Sequence, residues 1–235
     1  MSAAKTLKEE GPTLAGISVS AILLAFVGAL LGFLYLASVP PTSFKSVADL
    51  NAYLEKTPEP KLLDVSYFEG PVSRSRSWEQ KREILLNGSA NTVELTAGEI
   101  NAWMSAKFRK PSAASAAEDE AGIVILPGVP NFFIDASAGV FFNLPTEVSI
   151  YGSTHERMVI AQGHFSTGPQ VQFKMSTLRV NDAAIPVFAG LGKQLVQKLL
   201  QAYSETDEFV ACQKAWEKVE SVELVGDTMR LKLRQ

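Results

Sequence analysis

The chain has 235 residues, a formal charge of −3, two histidines and one cysteine. Charge this mild and evenly spread lacks the clustered Lys and Arg of a nucleic-acid footprint, and a single thiol excludes an internal disulfide framework. Two histidines and one cysteine also leave little for a metal site of three or four protein ligands, so no cofactor is expected.

Between Glu10 and Lys45 no side chain carries charge, and Leu14 to Ala37 within that stretch is almost wholly apolar. At about 1.5 Å per residue this makes a helix of roughly 36 Å, enough to cross a hydrocarbon core of about 30 Å with some tilt. A cleaved secretory signal would have a shorter core and small residues at its cleavage site. Here Tyr35 or Leu36 falls where a small residue is needed, and Pro40 and Pro41 follow. The expected organisation is a short cytoplasmic tail (1–13), a transmembrane helix (14–38), a stalk (39–45) and a single domain (46–235). Lys5 and Lys8 nearly balance Lys45 and Lys56 across the span. The free amino terminus tips the positive-inside rule toward a large domain outside the cytoplasm, anchored in an inner or cell membrane. Gly28 and Gly32 form a G-x-x-x-G, extended by Ala21, Ala25 and Ala29, a spacing that lets two helices approach closely in lipid and makes this face the candidate contact of a homodimer.

Ser46 and Asp49 predict a capped helix with a stripe of Val47, Leu50, Tyr53 and Leu54, stopped by Thr57-Pro58-Glu59-Pro60. Leu62 to Phe68 reads as extended, Gly70-Pro71 as a turn, and Trp78 to Leu86 as a helix ended by Asn87-Gly88. Its basic residues, Lys81 and Arg82 beside Arg74 and Arg76, are answered by Glu79 and Glu83 and read as a solvated face. Val93-Glu94-Leu95 alternates as a strand into Thr96-Ala97-Gly98-Glu99, a capping box that opens a helix burying Ile100, Trp103, Met104 and Phe108. An Ala/Ser-rich, then acidic, segment at 110–121 reads as a mobile loop.

From Gly122 the pattern turns to strands. Ile123 to Leu126, Phe132-Phe133-Ile134 and Val140-Phe141-Phe142 are continuous apolar runs, so both faces of those strands want cover. Later strands, 159–165 and 171–175, alternate about a Thr167-Gly168 turn. Ile185-Pro186 is expected to open an amphipathic helix through Phe188, Leu191, Leu195, Leu199 and Leu200. A second helix at 207–218 and a terminal hairpin turning at Gly226-Asp227 complete an α+β fold, a mainly antiparallel sheet with helices on one face.

The run Val93 to Met104 resembles the "LT-x-x-E-L-N" strand-then-helix opening of small single-pass proteins of the YpmS type. The order of sheet, Ile-Pro-led helix, second helix and hairpin is similar too, so the likeness covers most of residues 93–235. It implies an anchored extracytoplasmic domain that handles lipids, and it brings no catalytic residue.

Catalytic signatures are absent: no G-x-S-x-G, P-loop, dinucleotide fingerprint or H-E-x-x-H occurs. His155-Glu156 with Asp135 or His164 is too thin for zinc, and Cys212 reads as a small hydrophobe on a helix. The expected function is non-enzymatic. One reading is a binding module for a lipid or other hydrophobic ligand, its candidate surface being Trp103, Phe132, Phe133, Phe141, Phe142, Leu191, Leu195 and Leu199. Its rivals are a structural subunit docked on an envelope partner and, last, a hydrolase with dispersed catalytic residues.

Overall fold

The computed structural model describes residues 13–57, 66–108, 123–166, 168, 170–186, 190–204 and 206–234; at Ala15, Ser66, Ile123, Ile150, Leu191 and Lys193 the description is of the backbone alone. Lys5, Lys8, the segment expected to be a loop at 110–121, Thr167 and Phe188 lie outside the described residues.

Helix α1 (Leu14–Ser38) starts where the Thr13 hydroxyl accepts from the Gly16 amide at 3.2 Å. Its apolar side chains face outward, and Gly16–Ser38 is long and apolar enough to cross a bilayer, compatible with a single-pass anchor. The α+β fold follows. Strand β1 (Thr42–Phe44) occupies part of the expected stalk and pairs in parallel with β2 (Ser66–Phe68) around α2 (Val47–Lys56). Helix α3 (Ser77–Asn87) ends on left-handed Gly88, strand β3 (Thr92–Thr96) follows, and α4 (Ala97–Lys107) opens with the full Thr96/Glu99 capping box.

The larger sheet contains β4 (Ile123–Pro127), β5 (Asn131–Asp135), β6 (Gly139–Ile150), β7 (Ser153–Phe165), β8 (Phe173–Val180) and β9 (Ala183–Ala184). Strands β4 and β5 pair with successive halves of one edge of β6, so they are one strand interrupted at 128–130. That interruption explains how Pro145 sits inside β6. Its carbonyl accepts from Gly128, so its missing amide faces the gap, where no ladder bond is lost. The β6–β7 ribbon is much longer than its apolar runs suggested. It closes with Tyr151 and Gly152 at φ +48° and +82°, a two-residue loop with both positions left-handed.

Helix α5 (Leu191–Gln201) begins later than the Ile185-Pro186 signal predicted. The Ile185 amide donates to the Leu178 carbonyl, continuing the pairing of β9 with β8, and left-handed Gly190 (φ +74°) precedes the helix. Helix α6 (Asp207–Trp216) and the hairpin β10 (Val219–Val225) and β11 (Thr228–Leu233) complete the chain; β11 also pairs with β3 to make a three-stranded sheet.

Strand alternation sorts the paired phenylalanines. Phe133 and Phe141 point to one face, where they meet Phe44 and Phe68; Phe68 stacks on Phe133 with ring centroids 4.7 Å apart. Val47, Leu50 and Tyr53 of α2 close this layer, while Leu54 stays 43% exposed. Phe132 and Phe142 point to the other face, which is covered by two further clusters. One joins Ile134 and Val140 to α3, α4 and the three-stranded sheet; the other joins Leu144, Val159, Ala161 and Leu178 to Leu199 and Tyr203. Cover therefore lies on both faces of the sheet, as the continuous apolar runs predict.

Candidate functional site

The residues proposed from sequence as an apolar-ligand surface are largely core. Trp103, Phe133, Phe141 and Leu199 are buried; Phe132, Phe142 and Leu195 are half-buried against the same clusters, and Leu191 is the first residue of α5. They fall on opposite faces of the sheet and do not converge on one cavity. On α1, Gly28 and Gly32 are open: a Cβ built at either would meet nothing within 4 Å. The two histidines stand nine residues apart on β7, and the odd spacing sends them to opposite faces. Among the described residues no group of three His, Cys, Asp or Glu side chains is placed to hold a metal ion.

Sequence reasoning missed the partners of the basic patch. Lys81 reaches the buried Glu99 at 2.7 Å, and Arg82 clasps the buried Glu208 through two bonds of 2.5 Å. The Trp103 indole donates to Glu208 as well, at 2.6 Å. Burial alone raises the Glu208 carboxyl, but the bonds from Arg82 and then Trp103 hold it below its ordinary 4.5. The neighbouring Cys212 thiol is pushed up to about 12, mainly by burial and then by Glu208. Every charge in this network is paired, which is the mark of a structural element.

The other end of the domain is built differently. The last carbonyls of a helix lack intrahelical partners, and at the end of α1 the domain supplies them. The Asp182 amide donates to Leu36 at 3.2 Å, and Asn181 Nδ2 donates to Ala37 at 2.7 Å. Asn181 takes a left-handed turn conformation (φ +49°), which Asn tolerates, and exchanges bonds of 2.7 Å with both backbone groups of Met158 in β7. One side chain thus ties the helix exit, the β8–β9 turn and the ribbon together, and Ala37 is buried there. A polar pair such as Asn181-Asp182 reads in sequence as a turn; its reach back to residue 37 carries no local signal.

Beside this junction lies a cleft of about 530 Å³. Its apolar wall is Pro40, Pro41, Leu126, Pro145 and Met158, and its polar groups include Tyr67, Glu147, Glu156 and Arg157. Burial, then the Glu69 charge, push the Tyr67 phenol up against the opposing hydrogen bond with Ser43. Apolar walls with a few convergent polar groups are the composition of a small-molecule site, and the cleft opens where the apolar helix enters the domain. No family model, curated protein or solved structure matches this chain.

Proposed function

We propose that the chain is a single-pass membrane-anchored, non-enzymatic module that binds an amphiphile at the bilayer surface. The observation that carries this reading is the position of the cleft. Its walls include Ser38, Pro40 and Pro41, the residues at and just past the end of the apolar helix. A helix of 25 residues spans about 37 Å, so its far end reaches the headgroup level of a bilayer. Because Asn181 and Asp182 bond the last turn of α1, the cleft is held at that level instead of hanging from a free linker.

The test is photo-crosslinking of the full chain in bilayers that contain a lipid with a diazirine near its headgroup. Crosslinks at 126–128, 145–147 and 156–158 support the reading. Crosslinks confined to 14–38 overturn it.

A further inference from the structure

Arg76, Arg82, Arg179 and Arg230 each stand within 4.0 Å of a carboxylate. Arg157 does not. It is half-buried in the cleft wall, and its one hydrogen bond among the described residues runs from Nη1 to the Glu156 carbonyl at 2.8 Å. A guanidinium carries five N–H donors in a planar fork that fits phosphate, so most of its capacity is unspent. The exposed Glu156 carboxylate beside it likewise has no hydrogen bond or ion pair among the described residues.

Strand geometry brings these two opposite charges to one place without pairing them. Successive side chains of β7 leave on opposite faces, yet β8 stops at Val180, opposite Val159, so β7 is an edge strand from Ser153 to Arg157. Met158 turns both backbone groups toward Asn181 on that edge. Two residues earlier, by the same period, the Glu156 amide and carbonyl face the open edge as well. The bond from Arg157 to that carbonyl therefore holds the guanidinium over the edge, and both residues line the same cleft. The edge offers a fixed cation, a backbone N–H and a carboxylate next to the apolar wall of Leu126, Pro145 and Met158.

Resting on the amphiphile reading above, we propose that this edge recognises a zwitterionic phospholipid headgroup, its phosphate on Arg157 and its primary ammonium on Glu156. A purely anionic headgroup would meet the Glu156 charge, and a purely cationic one would meet Arg157. A headgroup with both charges satisfies each through charge-assisted hydrogen bonds.

The experiment uses the full chain in detergent micelles with equimolar phosphatidylethanolamine and phosphatidylglycerol of identical acyl chains, read by native mass spectrometry. Wild type should retain the ethanolamine lipid about tenfold over the glycerol lipid, the ratio worth one good charge-assisted contact. Glu156→Gln should bring that ratio to about one, and Arg157→Gln should lower retention of both lipids by a similar factor while Arg157→Lys restores part of it. Equal retention by wild type, with lipid still bound, overturns the headgroup assignment and leaves the amphiphile reading standing. Retention of neither lipid overturns both.

Discussion

The two ends of this domain differ in what they leave unpaired. Away from the helix exit, Lys81–Glu99 and Arg82–Glu208 lock α3 onto α4 and α6 with the carboxylates buried and fully bonded. At the exit, buried Asp182 lies 3.9 Å from Arg179, but Arg157 and Glu156, on an open strand edge in the cleft wall, form no ion pair among the described residues. Paired buried charges hold a fold together, because removing one partner strands the other; charges left on an accessible edge are free to meet something that is not protein. In the proposed reading the same residue type, Arg, serves structure in one place and recognition in the other.

Substituting that residue at each end breaks the comparison most sharply. Arg82→Met leaves the Glu208 carboxylate buried without its counter-ion and should cost about 3–5 kcal/mol. The matched Arg157→Met should change stability by no more than about 0.5 kcal/mol. Urea unfolding of the full chain in micelles, followed by near-UV circular dichroism, compares the two; equal losses would erase the distinction.

Asn181→Ala should come next. It removes the donor to Ala37 and the acceptor from Met158 at a left-handed position, a loss of about 1–3 kcal/mol. Unlike Arg82→Met, it should also free the helix exit, seen as faster amide exchange at 36–39 and 181–185 with little change in α3.

Acid should reach the same network. Hydrogen bonds hold both the Glu208 and Glu99 carboxyls below 4.5 despite burial. Their folded values lie below their unfolded ones, so their contribution is complete above about pH 4.5 and is lost as pH falls through the folded values. Titrated unfolding curves should show this loss in wild type and a smaller one in Glu208→Gln.

The smallest effect concerns Cys212. With its thiol raised to about 12, mainly by burial, the half-buried side chain should react with a disulfide reagent at neutral pH much more slowly than an exposed thiol. Rapid labelling in the folded state would show that this part of the core is less closed than described.

Much of the fold is legible in the chain because its signals are local. Thr96 and Glu99 stand three apart as a capping box requires, and the double phenylalanines announce strands covered on both sides. What covers those strands is not local: Phe68 and Phe44 arrive from a separate parallel pair, and nothing in Phe132-Phe133 specifies which face each one fills. The same limit hid the site. Phe133 and Trp103 look like ligand-facing residues by composition and are core by topology, whereas Arg157 lies at an open edge only because β8 ends at Val180. Asn181 joins positions 144 residues apart, a contact that no periodicity encodes.

In the proposed reading, the end of the apolar helix and the domain's β8–β9 turn sit together at the bilayer surface. Spin labels on cysteines introduced at Ser38 and at the exposed Ala184, in a Cys212→Ser background, report depth in bilayers through their accessibility to oxygen and to a water-soluble relaxant. Both labels should lie at the same headgroup depth. A label at Ala184 fully in water while the one at Ser38 stays at the interface would contradict the account.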